Sequence, residues 1–129
     1  MRYEAVIGLE IHVQLNTITK LFCDCPNSPG DEPNKNTCPT CLWLPGALPR
    51  LSADALEKAT LACLALNCTI QPESAFDQKV YYYPDPPKGY QLSQHHKPLA
   101  RNGWIDIIGE DGELKRLRIH HVHMEEDVA

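Results

Sequence analysis

Trp104-Ile105-Asp106-Ile107-Ile108-Gly109-Glu110-Asp111-Gly112-Glu113-Leu114-Lys115-Arg116-Leu117-Arg118-Ile119 reads as two strands joined by a turn. Trp104, Ile105, Ile107 and Ile108 give the first stretch strand-forming residues, and Leu114, Leu117 and Ile119 are the apolar positions of the second. Gly109-Glu110-Asp111-Gly112 between them supplies residues that tolerate the positive φ of a hairpin turn. The second strand runs on into His120-His121-Val122-His123-Met124-Glu125-Glu126-Asp127. Its alternation is imperfect, because Leu117 and Ile119 share a face with His121 and His123, so a bulge or bend is expected near His120.

Upstream, residues 79–83 and 90–94 read as two further extended pieces flanking the proline-rich turn at 84–87. Before them, Ser52 is placed to cap a helix over roughly 53–66, with Asp54 near its positive end. Leu56, Ala59, Thr60, Cys63 and Leu64 are expected on its buried face, and Asn67 at its exit. Cys63 reads as a small buried hydrophobe, and Cys68 has no stronger claim. At the start, residues 3–15 alternate with period two. Ile7, Leu9, Ile11, Val13 and Leu15 lie on one face and Gly8, Glu10, His12 and Gln14 on the other, which predicts a strand. Strands dominate and one helix is clear. The fold class is α+β with a mostly antiparallel sheet.

The 129 residues suffice for one ordinary domain, 43% hydrophobic and 22% charged. No apolar run is long enough to span a membrane, and the start reads directly into the first extended stretch without a signal peptide, so a cytoplasmic location is expected. A net charge of −5 is not the footprint of a stand-alone nucleic-acid binder.

Cys23-x-Cys25 and Cys38-x-x-Cys41 flank twelve loop-forming residues. Two close thiol pairs on tight turns suit tetrahedral Zn²⁺, and with four sulfurs and no open position the site would be structural, ordering a loop at about 22–45. A disulfide pair, disfavoured in a reducing compartment, and an iron–sulfur cluster are the competing readings. A zinc loop alone would also fit a non-catalytic zinc module that binds partners. Glu10 and His12 share a face of the first stretch, and Glu125, Glu126 and Asp127 arrive at the far end. Brought together, they would offer oxygen ligands and an imidazole to Mg²⁺. The alternative for such an acidic run is solvated surface. Lys79 and Lys88 flank Tyr81-Tyr82-Tyr83, and each reads either as a phosphate partner or as an exposed charge.

The segments YEAVIGLEIHVQL, the C-x-C/C-P-x-C loop with LPGALP, FDQKVYYYPDPPKGYQLSQ, NGWIDI and HMEED, in this order, resemble the start of GatB. GatB is the B subunit of the aspartyl/glutamyl-tRNA(Asn/Gln) amidotransferase. The resemblance implies the amino-terminal part of a catalytic (cradle) domain with a glutamine-synthetase-like fold, here partial. The rest of that domain and the helical tRNA-binding domains would lie beyond this stretch, so residues 1–129 alone are expected to be inactive. It implies an ATP-dependent ligase component that phosphorylates the side-chain carboxylate of Glu on tRNA(Gln) or Asp on tRNA(Asn). Ammonia released from glutamine by the A subunit, an amidase, then forms the amide, and a small C subunit holds the assembly together.

By the same resemblance, Glu10, His12, Glu125 and Glu126 match catalytic positions, with Glu10, His12 and Glu125 on the Mg²⁺ side. Lys79, Asp85, Lys88, Gln91 and Gln94 fall in a segment near nucleotide and substrate. Cys23, Cys25, Cys38 and Cys41 match zinc cysteines that some members carry. Trp43 departs from the pattern, which has glycine there.

Overall fold

The computed structural model describes residues 2–83 and 88–127. Helix α1, Ala53–Ala65, leads into strand β1, Thr69–Ile70, followed by β2, Asp77–Val80, β3, Tyr90–Ser93, β4, Ala100–Ile108, and β5, Leu114–Val122. The strands form two antiparallel sheets, one ordered β1-β4-β5 and the other pairing β2 with β3. The chain is thus α+β, with one helix among the described residues.

Local chemistry accounts for the elements that form. Ser52 is the N-cap of α1, its hydroxyl accepting from the Ala55 N–H, and Asp54 sits in the first turn against the helix dipole. The helix exits through Asn67 in the left-handed region, φ 55°. The β4–β5 hairpin closes where the Gly109 N–H donates to the Glu113 carbonyl at 2.8 Å, with Gly112 at φ 78°. Of the bulge or bend expected near His120, no bulge occurs in β5. The register is the same at Arg101↔His121 and Gly103↔Ile119. The irregularity falls on the opposite strand, at Asn102, whose φ is 58°. A left-handed residue there bends β4 without adding a residue to β5.

The core is built from small residues. Ala55, Ala59 and Cys63 line the buried stripe of α1, which meets Cys68, Leu99, Ala100 and Met124. Leu56 and Leu64, expected on this face, are 36% and 55% exposed. Short side chains at every fourth residue let the helix lie close to β1 and share a core with Leu99, Ala100 and Met124, and the leucines flank the contact instead.

Residues 3–15 do not form the expected strand: they have no ladder partner among the described residues. Ile7, Leu9, Ile11 and Val13 are at least 76% exposed, and only Leu15 packs against the core. Period-two patterning supplies an apolar face, but a strand also needs a neighbour to satisfy its N–H and C=O groups. The accessible surface agrees. It totals 10282 Å², against about 6,900 Å² for a compact protein of this mass. Among the described residues, no helix is long and apolar enough to cross a membrane.

Candidate functional site

Two clusters stand out, one of sulfur and one of acid. The first is built from two turns. In the hairpin around Cys23 and Cys25, the Lys20 N–H donates to the Cys25 carbonyl at 3.0 Å and the Asn27 N–H to the Ile18 carbonyl at 2.9 Å. In the second turn the Leu42 N–H donates to the Cys38 carbonyl and the Trp43 N–H to the Thr40 carbonyl, both at 3.0 Å. The Cys38 N–H reaches the Cys41 Sγ at 3.1 Å.

The four Sγ atoms of Cys23, Cys25, Cys38 and Cys41 lie within 4.8 Å of one another, and all are free thiols. Tetrahedral zinc with bonds of about 2.3 Å sets its sulfurs about 3.8 Å apart, so a modest contraction would close the site. The donor set fits the metal. The backbone N–H of Cys41 brings the Cys38 thiol down to about 6, while burial and then the neighbouring Cys38 and Cys23 push Cys25 up to about 12. Four crowded sulfurs share one thiolate poorly, and a cation at their centre relieves that conflict.

The acidic cluster rests on β3, where polar side chains face inward. Gln91, Ser93 and Gln94 are buried. They hold the segment after β5: the Met124 N–H donates to Gln94 Oε1 at 3.0 Å, and Gln91 Nε2 donates to the Glu126 carbonyl at 2.8 Å. Gln91 Oε1 in turn accepts from the Tyr81 hydroxyl at 3.0 Å. The Glu126 N–H completes the docking by donating to the Leu92 carbonyl at 3.1 Å.

The two glutamates then diverge. Glu125 is partly exposed, and His12 Nε2 lies 3.2 Å from one of its carboxylate oxygens. On its other oxygen, His123 Nε2 lies at 3.5 Å and the Ser93 hydroxyl donates at 3.3 Å. Glu126 turns inward, its carboxylate paired with the Lys88 ammonium and accepting the Leu92 N–H at 2.6 Å; these side chains are 13% and 11% exposed. Lys79 lies 5.2 Å from the Tyr81 ring centre. A hydrogen bond to Tyr81 pushes the lysine's pKa up, and the negative charges of Glu125 and Glu10 add to this.

The structure therefore brings His12 to Glu125 and leaves Glu10 within electrostatic reach of Lys79. Glu10, His12 and Glu125 do not converge as three ligands. Among the described residues, the four cysteines are the one group of three or more metal-binding side chains close enough to share an ion. Lys88 faces Glu126 rather than open solvent, Gln91 and Gln94 face the chain's own backbone, and Asp85 lies outside the described residues. Residue patterns alone did not single out Ser93 and His123 at Glu125, or Trp43 at Lys88.

The family model of the GatB/GatE catalytic domain matches residues 5–129. The chain is 75% identical over its whole length to one of the aspartyl/glutamyl-tRNA(Asn/Gln) amidotransferase B subunits of Syntrophus aciditrophicus, that numbered 1. It is 58% identical to the B subunit of the same enzyme in Persephonella marina and 54% identical to that of Geobacter sulfurreducens. It spans 27% of the length of each of these relatives. With the match running from the first stretch through the acidic segment, this chain belongs to the GatB/GatE catalytic-domain family.

Proposed function

We propose that this chain forms part of the B subunit of a tRNA-dependent amidotransferase, a cytoplasmic ligase acting on Glu-tRNA(Gln), Asp-tRNA(Asn) or both. A carboxylate is a poor electrophile. Transfer of the terminal phosphoryl group of ATP to the aminoacyl side chain gives an acyl phosphate and ADP. Ammonia then attacks the acyl carbon, the C–O bond to phosphate breaks, and the amide forms as phosphate leaves. In this reading the A subunit, an amidase, supplies the ammonia, a small C subunit completes the heterotrimer, and the whole catalytic domain takes a glutamine-synthetase-like fold.

The observation that carries the proposal is the placement of Glu125, held by the buried amides of Gln91 and Gln94 yet presented toward His12 and His123. Gln91 and Gln94 fix the backbone on either side of it, so its carboxylate meets a ligand without first ordering the chain. Lys79 supplies positive charge beside it, suited to the phosphates of a nucleotide. Glu10, His12 and Glu125 remain the residues assigned to the Mg²⁺ side. One carboxylate and one imidazole in contact are too few to hold that ion alone. Glu126, paired with Lys88, acts by anchoring its neighbour. The cysteine cluster holds structural Zn²⁺, which would keep two loops together by coordination where they have little apolar core.

The test is ATP-dependent conversion of Glu-tRNA(Gln) to Gln-tRNA(Gln) by the full-length protein with its amidase and small-subunit partners. Wild type should be active. Glu125→Gln should lose amide formation and keep the glutaminase reaction of the amidase. Normal amidation by Glu125→Gln removes this residue from the chemistry, and an inactive wild type with competent partners overturns the proposal.

A further inference from the structure

Trp43 stands two residues beyond Cys41 with φ at 52°, a left-handed conformation that glycine adopts freely and a bulky side chain resists. The backbone there is fixed by the cysteine turn: the Trp43 N–H donates to the Thr40 carbonyl and the Leu44 N–H to the Pro39 carbonyl, each at 3.0 Å. From that turn the indole reaches the other cluster. It meets the Tyr90 ring edge-on at 5.0 Å, and the Lys88 ammonium lies 4.6 Å from the Trp43 centroid and 5.3 Å from that of Tyr90. The same ammonium pairs with Glu126, whose carboxylate holds the Leu92 N–H. A single chain of contacts thus joins the sulfur turn to the residue beside Glu125.

We propose that Trp43 is a positioning residue through which the metal-ordered cysteine turn sets the Lys88–Glu126 pair, and with it the acidic segment of the site. The inference rests on the zinc reading of the cysteine cluster. An ammonium that is 11% exposed has given up most of its water. One carboxylate and two aromatic faces replace that water, and cation–π attraction is strongest where solvent is excluded. Loosening the turn withdraws one face, rehydrates Lys88 and frees Glu126 from the Leu92 N–H.

Amide hydrogen exchange at Leu92 and Glu126 reads this chain of contacts. It is measured in the full chain with zinc bound and after chelation, for wild type, Trp43→Phe and Trp43→Leu, with the zinc content of each determined. Phenylalanine keeps an aromatic face, whereas leucine keeps apolar bulk without one. Expected results are one zinc per wild-type chain and on the order of tenfold faster exchange at both amides after chelation. Trp43→Phe should stay close to wild type. Trp43→Leu should exchange fast whether or not zinc is bound.

Equal protection in the phenylalanine and leucine variants overturns the proposal. So does zinc removal that leaves both amides unchanged, or that speeds the β4–β5 amides Ile105 and Ile107 equally, because the effect would then not travel through Trp43. A wild-type chain that binds no zinc overturns the metal reading and this inference together. Bound zinc with any of the three preceding results overturns the inference alone.

Discussion

Glu125→Gln and Glu126→Gln change adjacent residues in the same way and should have opposite consequences. The Glu126 carboxylate and the Lys88 ammonium are 13% and 11% exposed. Removing one partner from a buried pair typically costs about 3–5 kcal/mol, because the other charge is left without compensation. Two features reduce that here. The faces of Trp43 and Tyr90 still attract Lys88, and a glutamine oxygen can still accept the Leu92 N–H. The expected loss for Glu126→Gln is about 2–3 kcal/mol. Glu125 is 26% exposed, and its partner His12 is 75% exposed. Such a pair contributes about 0–1 kcal/mol, so Glu125→Gln should leave stability nearly unchanged while removing amidation activity. Urea unfolding with linear extrapolation measures both losses at constant slope. The double variant Lys88→Met/Glu126→Gln should be less damaged than the sum of its single changes, because no buried charge is left over. A Glu126→Gln protein within about 0.5 kcal/mol of wild type would refute the buried-pair reasoning. Equal destabilisation by the two single variants would refute the division of labour between the glutamates.

Gly103 of the NGWIDI segment has no room for a side chain: an added Cβ would stand 2.2 Å from Cys68 Sγ and 2.7 Å from the Leu66 carbonyl oxygen. That oxygen already accepts the Trp104 N–H at 2.9 Å and cannot retreat without breaking the bond. Gly103→Ala should therefore cost about 2–3 kcal/mol in chemical denaturation, and adding Cys68→Ala should restore only part of it; a neutral Gly103→Ala would show that this contact yields easily. Asp77 accepts the His96 and His95 N–H groups, which hold its carboxyl below the ordinary value of 3.8. Its folded pKa is depressed, so its contribution is complete above the unfolded value and disappears as pH falls through the folded one. The stability difference between wild type and Asp77→Asn should be constant near neutrality and collapse below about pH 4. A difference that persists unchanged to pH 2 would remove the charge from the account.

The sequence by itself determined the features whose causes lie within a few residues. Ser52 and Asn67 bound α1 because a cap and a left-handed exit are satisfied by the neighbouring backbone. Gly109 to Gly112 closes the β4–β5 hairpin for the same reason. The cysteine spacing places two thiols on each of two turns, and only their convergence to within 4.8 Å required the fold.

The tertiary structure decided everything that depends on what lies opposite. The alternation of residues 3–15 describes a face and cannot supply a neighbouring strand, so these residues stay outside both sheets. Leu56 and Leu64 flank Cys63 on the helix, yet packing on Cys68, Leu99, Ala100 and Met124 selects the stripe of Ala55, Ala59 and Cys63. Glu125 and Glu126 are chemically identical and adjacent, so no local rule separates the glutamate facing His12 from the one buried against Lys88. That distinction arises only when Gln91 and Gln94 grip the backbone around the pair, because burial and partner choice belong to the space between elements and not to either element alone.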